Sequence, residues 1–509
     1  MDPPEPASFP PSAGRGVEDG DWFNLSETEL EVLLEDGIVQ HSSSTASVPG
    51  KRLRKVSAAL LGPPQSTTGS LSSSSSGSST ASVRALEFST SDALLHRSVS
   101  FDMPTTLVST ETLEWIGFTT ATAAEICHRY QTRPDPRINP DSLMDYVEGH
   151  IVQLQLPAFR NMPPAQALER VGIQKSVQDA LLDPDFTALL YTQDLHYWLR
   201  DTLTTNYATL IRLQDRLKNH AVRSVAWKKE KRAAGLQQHQ SQITASASSS
   251  TPGTHELVPE VTANPTLHMT PEDHNLPTNQ VELLLSSDQE PDPIIPPGFT
   301  ALYKGKAACD MPDGPSWIQE DGTFAMAALW TLPGGDFNSE SVAHYWTPEK
   351  ETAEQSRSWA ARRSPYSETW LIRILVSDSF VHSLKKATLW YSPDWKQYVW
   401  HCQSHRRPPP KFDSGAAGVD VIQGHICTGN TAPINTIPEH AQITEENVLQ
   451  VPVGNKKNKK KQQKATQWAF VHWDAIKRLE EEIDALGGRR IHIDITASTK
   501  ACHSWQQSL

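Results

Sequence analysis

Between residues 178 and 217 apolar side chains return every three or four positions. Trp198, Leu199, Leu203, Tyr207, Leu210, Ile211 and Leu217 fall near one stripe, the period at which a helix turns one face to a core. The segment 107–235 therefore reads as a small helical bundle. Beyond residue 298 the period shortens. Runs rich in β-branched and aromatic residues, at 300–303, 369–376, 419–422 and 466–471, read as short strands mixed with a few helices. The expected class is α+β.

Two stretches carry neither period. Residues 1–106 and 236–297 are rich in Ser, Thr, Pro and Gln, the first including the run LSSSSSGSST at 71–80. Such compositions bury too little apolar surface to offset chain entropy. A disordered segment and a linker are expected, with 497–509 as a tail. One island interrupts the first stretch. In DWFNLSETELEVLLEDG, at 21–37, Ser26 and Glu29 form a capping box, Leu30, Leu33 and Leu34 share a face, and Gly37 is a stop. This predicts a short amphipathic helix near 26–36. It has two possible roles: docking in a partner's groove, or packing back on its own chain.

Only 37% of the 509 residues are hydrophobic, but ten of the 15 tryptophans lie between Trp317 and Trp473. The largest core is therefore expected in the C-terminal part. A net charge of −13 argues against nonspecific binding of nucleic acid by the whole chain. The basic runs at 51–55 and 456–464 read as solvated loops or, alternatively, as nuclear-import or anionic-partner contacts. Neither has interleaved aromatics, so no sequence-specific nucleic-acid binding is expected. Five cysteines lack CxxC spacing, and no run of 18 apolar residues occurs. An intracellular protein, cytoplasmic or nuclear and without a membrane segment, is expected. Asp194, His196 and Asp201 do not share a helix face and make a poor metal site.

The stretch AHYWTPEKETAEQSRSWAAR, at 343–362, joins a short aromatic strand to a helix start. Thr347 is placed to cap, Pro348 suits the first helical position, and Glu349 and Glu351 suit the positive end of the helix dipole. Ala353, Ser356 and Ala360 form a small-residue face that allows close approach to a sheet.

Several pieces then occur in a telling order. They are Leu302-Tyr-Lys-Gly305, Asp336-Phe-Asn338, Tyr345-Trp-Thr347, Ala353 through Trp359-Ala360 and Asp394-Trp-Lys-Gln-Tyr398, followed by Val419-Asp-Val-Ile-Gln-Gly-His-Ile426, Ile443-Thr-Glu-Glu446 and Gln467-Trp-Ala-Phe470. In this order they resemble the ADP-ribosyltransferase superfamily, in particular its bacterial and fungal branch catalogued as a domain of unknown function. The resemblance covers nothing before Gly298.

The resemblance implies split, twisted small sheets over 298–496 that clasp NAD, as substrate or ligand. Tyr303, Lys304, Gly305, Tyr345 and Thr347 fall at cofactor-binding positions, with Tyr345 stacking on nicotinamide. Gln467, with Glu446 as a compensating carboxylate, falls at the catalytic position. Tyr345 also reads as a core aromatic with its hydroxyl bonded to backbone, and the glutamates as a helix cap through Thr444. Two departures stand out: Lys304 replaces a histidine, and Gln467 lacks the charge of the glutamate that active relatives use. The implied function is transfer of ADP-ribose from NAD to a protein or small acceptor. The alternative is a degenerate NAD-binding or protein-interaction regulator. A protein partner is expected through the helical domain or the 26–36 helix.

Overall fold

In the computed structural model the described residues are 25–40, 53–61, 65–66, 86–87, 100–134, 137, 140–160, 162–246, 282–285, 294–307, 329–412, 419–429, 432–453, 461–484 and 491–496. They form a mixed α+β structure, a helical region followed by several small sheets.

Helix α1 (Glu27–Glu35) starts at the capping box foreseen, with Ser26 Oγ accepting from Glu29 N and Glu29 reaching back to the Ser26 N–H. It ends at Asp36, followed by Gly37 at φ 71°. Its apolar side does not stay open. Leu33 packs with Ile38, Val39, Val56, Leu60 and Leu61 against Leu210, Leu213 and Leu217 of the long helix. Strands β1 (Leu53–Ser57) and β2 (Ser100–Pro104) pair antiparallel beside it. The described residues of this stretch thus form a cap on the long helix, and the serine-rich run at 71–80 lies outside the described residues.

Helices α2 (Thr110–Ile116), α3 (Thr120–Gln131), α4 (Leu143–Ile151), α5 (Pro164–Arg170) and α6 (Lys175–Leu181) enclose an apolar core with the start of α7 (Leu195–Ser246). The latter runs past the boundary expected at 235. It is buried on more than one side, at Leu199, Leu203, Leu210, Leu213 and Leu217 but also at Thr202, Thr205, Asn206 and Thr209. A simple amphipathic stripe does not describe a helix packed between two layers.

The C-terminal part holds two four-stranded sheets. In chain order the strands are β3 (Glu282–Leu285), β4 (Phe299–Ala307), β5 (His344–Trp346), β6 (Thr369–Ser377), β7 (Lys386–Leu389), β8 (Val421–His425), β9 (Gln450–Val453), β10 (Lys461–Lys464), β11 (Thr466–Phe470) and β12 (Ile491–Thr496). One sheet runs β3-β12-β6-β4 and the other β5-β11-β8-β7; β9 and β10 pair separately. Every pairing in the four-stranded sheets is antiparallel except β12·β3 and β8·β7. Strand β3 comes from the segment expected to be a linker. The basic run at 456–464 enters the structure only at β10, and its earlier residues lie outside the described residues.

Edge strands β4 and β5 meet through an isolated bridge, Tyr303 to Thr347. Behind them lies α8 (Lys350–Arg363). A Cβ on Gly305 would stand 1.8 Å from the Ala353 carbonyl oxygen, so glycine there lets helix and strand touch. Helices α9 (Pro393–Gln403) and α10 (Trp473–Asp484) cover the remaining faces. Leu302, Trp346, Ile372, Ile374, Val421, Phe470 and Leu479 form one core spanning both sheets.

The helical region is tied to the sheets by polar contacts. Trp359 Nε1 donates to Ala180 O at 3.3 Å, Arg362 pairs with Asp183 at 2.9 Å and Gly429 N donates to Tyr191 O at 2.9 Å. Glu368, nearly inaccessible, meets Arg212 at 3.0 Å and also Arg216. Among the described residues no helix is long and apolar enough to cross a membrane.

Candidate functional site

A cavity of about 690 Å³ lies where the two sheets meet, within the roughly 300–1,000 Å³ of small-molecule sites. Tyr303, Lys304 and Gly305 reach it from β4, Tyr345 from β5, Thr347 from the turn after it, and Gln467 from β11. Glu446 does not line it. That residue is exposed on the 3-10 turn Glu445–Asn447, where Thr444 and Asn447 form the capping box. The glutamate foreseen as a compensating carboxylate thus belongs to a surface turn.

Each side chain is held differently from a free ligand contact. Lys304 Nζ donates to Leu329 O at 3.0 Å and to Tyr345 O at 3.2 Å, tying the edge of one sheet to the other. Burial pushes its pKa down to about 8. Two residues on, Lys306 also lines the cavity and is held well below its usual range by burial, with the Lys304 charge adding to the effect. His344 is wholly buried and is pushed down to about 3 by burial, helped by both lysines, so it is neutral at physiological pH.

Tyr345 satisfies its hydroxyl inside the protein. The O–H donates to Asn338 Oδ1 at 2.8 Å and accepts from Phe337 N at 2.7 Å. Burial, with the nearby Asp336 charge, pushes its pKa up. The hydroxyl thus anchors a core aromatic, and the same residue lines the cavity. Thr347 differs from its expected role. The helix begins at Lys350 with Glu349 as N-cap, and the Thr347 hydroxyl accepts from Glu349 N at 3.2 Å and donates to Glu349 Oε2 at 2.6 Å. Glu349 in turn accepts from Thr466 N at 3.2 Å. This turn fixes the start of β11 beside β5 rather than capping α8.

The centre of the polar network is Asp336. Its carboxylate accepts from Gln403 Nε2 at 2.6 Å, from Cys427 N at 2.8 Å and from Gln467 Nε2 at 2.6 Å. Burial pushes its pKa up to about 6, against the pull of these three bonds.

The fourth wall comes from the helical region. Tyr197, Trp198, Asp201, Thr204 and Thr205 of α7 line the cavity with Trp359 and Arg363 of α8. The Arg363 guanidinium lies 4.9 Å from the Trp198 ring centre and 4.6 Å from that of Trp359, and donates to Asp201 at 2.6 Å and Thr202 Oγ1 at 2.8 Å. Sequence reasoning limited to residues after 298 misses this wall. Its signal was present as the excess of Thr and Asn at inward positions of α7. Lys306, alternating with Lys304 in an otherwise apolar strand, was a second.

No group of three or more His, Cys, Asp or Glu suited to a metal ion occurs among the described residues. Asp194 instead accepts from Tyr197 N at 2.8 Å at the start of α7, and Asp201 serves Arg363. Comparison with known protein families, with curated proteins and with solved structures finds no match in any of the three.

Proposed function

We propose that this chain is an ADP-ribosyltransferase-like protein that takes NAD into the cavity between its two small sheets. One observation carries the reading. Six of the seven site residues drawn from the resemblance, five at cofactor-binding positions and Gln467 at the catalytic one, line a single cavity. On this reading the Tyr345 ring stacks on nicotinamide, and Trp198, Trp359 and Arg363 offer an aromatic and cationic wall to the rest of the dinucleotide. Breakage of the nicotinamide–ribose bond develops positive charge on the sugar, which a nearby acceptor stabilises.

A second reading is binding without turnover, as a regulator. It is favoured by Lys304, whose ammonium is engaged by two main-chain carbonyls rather than standing free where relatives hold the sugar. Lys304 then positions β5, and the cavity senses NAD.

Calorimetric titration of the full chain with NAD, followed by an assay for released nicotinamide, separates the readings. The full chain is needed because α7 lines the cavity. Binding is expected, with Tyr345→Ala weakening it roughly tenfold. Nicotinamide release above background marks the transferase. Binding alone marks the regulator, and absence of binding overturns both.

A further inference from the structure

Gln467 is not merely an uncharged substitute for an acid. Its Nε2 has two N–H groups, and both have acceptors: Asp336 Oδ2 at 2.6 Å and His425 O at 3.4 Å. The amide nitrogen is thereby turned into the protein. Its partner oxygen, Oε1, makes no hydrogen bond among the described residues, while the side chain lines the cavity. Asp336 is saturated in a complementary sense. One oxygen takes the Gln403 amide and the other takes both Cys427 N and Gln467. A main-chain N–H cannot be reversed, so Oδ2 remains an acceptor and Gln467 must donate to it.

We propose that Asp336 fixes the polarity of Gln467, so that this residue meets the ligand only through its carbonyl oxygen and accepts a hydrogen bond from a ligand hydroxyl. Naming that hydroxyl as one of a ribose rests on the NAD reading above. Asp336 is then a positioning residue, acting through its hydrogen bond to Gln467 although it too borders the cavity.

The pairing also accounts for glutamine at 467. A glutamate there would set a second carboxylate in contact with Asp336, and two such groups cannot both ionise at that distance. Protonation of Asp336 near its raised pKa does not undo the arrangement. The Asp336 charge, with burial, pushes up the pKa values of the neighbouring Tyr345, Cys402 and Cys427, so all three are neutral at physiological pH. A proton taken up at Oδ1 leaves Oδ2 an acceptor for Cys427 and Gln467, while the Gln403 amide, whose Nε2 also donates to Thr192 O at 3.4 Å, loses that bond if it reverses.

Asp336→Asn therefore keeps an acceptor facing Cys427 and Gln467, whereas Asp336→Leu removes it. In titrations of the full chain with NAD, Gln467→Met is expected to weaken binding roughly tenfold, the loss of one buried hydrogen bond. Asp336→Leu should lose as much through Gln467, Asp336→Asn should stay within about threefold, and, because Asp336 also borders the cavity, the double variant decides: Asp336→Leu/Gln467→Met should be no worse than either single. Wild-type affinity for Asp336→Leu, or additive losses, would overturn the proposal. A measurement free of NAD uses wild-type protein labelled with ¹⁵N-glutamine, the Gln467 amide being assigned by its disappearance in Gln467→Met with the other resonances unmoved. Slow exchange of both amide protons is expected because both face inward. Fast exchange overturns the inference even if NAD binds; slow exchange without NAD binding sustains the polarity and removes only the NAD reading.

Discussion

Two carboxylates are buried in different regions of the molecule, and they behave oppositely. Glu368 lies at the seam between α7 and the sheets, facing Arg212 and Arg216. Asp336 lies at the cavity, facing two amides and one main-chain N–H. Burial pushes both pKa values up. At Glu368 the two guanidinium charges more than offset this and hold the group below its ordinary value, while neutral donors leave Asp336 at about 6. Hydrogen bonds from neutral donors offset the lost hydration at Asp336 only in part, whereas at Glu368 two opposite charges outweigh it. The seam is therefore built for cohesion, and the cavity carries a charge that costs stability.

The largest expected effect is at the seam. Glu368→Ala strips the partner from two arginines, and removing one side of a buried ion pair costs about 3–5 kcal/mol. Urea unfolding monitored by tryptophan fluorescence would check it. A loss under about 1 kcal/mol would place Glu368 among weak surface pairs and break the contrast.

Arg216→Met should cost less, about 1–3 kcal/mol, because Arg212 still faces the carboxylate, 3.0 Å from Oε2. The hydrogen bond from Arg216 to Leu60 O, at 3.1 Å, is lost as well. A cost equal to that of Glu368→Ala would mean that Arg212 gives no compensation.

The smallest effect is expected at the cavity. Asp336→Asn should change stability at pH 7 by no more than about 1 kcal/mol, in either direction, because a buried charge and one good acceptor interaction are removed together. Its pH dependence gives the sharper test. The folded pKa of Asp336 is raised from 3.8 to about 6, so between these values the folded state binds more protons and this group's contribution falls as pH rises. Asparagine should remove that slope. Glu368 has the opposite sign: its folded value lies below 4.5, so its contribution is present above that pH and is lost as pH falls through the folded value. Stability curves of wild type and Asp336→Asn that are parallel from pH 4 to 7 would remove the distinction between the two sites.

Local pattern determined much of this molecule. The Ser26–Glu29 capping box, the period of α7 and the β-branched and aromatic runs of β4, β6, β8 and β11 depend on neighbours within a few residues, where propensity and capping act. The small face of Ala353 and Ala360 likewise announced a helix lying close to a sheet. Tertiary structure alone decided where those elements meet. Whether α1 docks on a partner or on Leu210 and Leu213 depends on which apolar surface lies within reach, and β3 joins a sheet because β12 offers it an edge. The same holds for the site. Tyr303, Tyr345 and Gln467 could be singled out one by one, but Tyr197 and Trp198 enter the cavity from a helix that lies well before Tyr303 in the chain. Asp336 and Gln467 are 131 positions apart. A hydrogen bond between such positions has no periodicity to reveal it, and it exists only because two sheets and a helical layer bring both groups together.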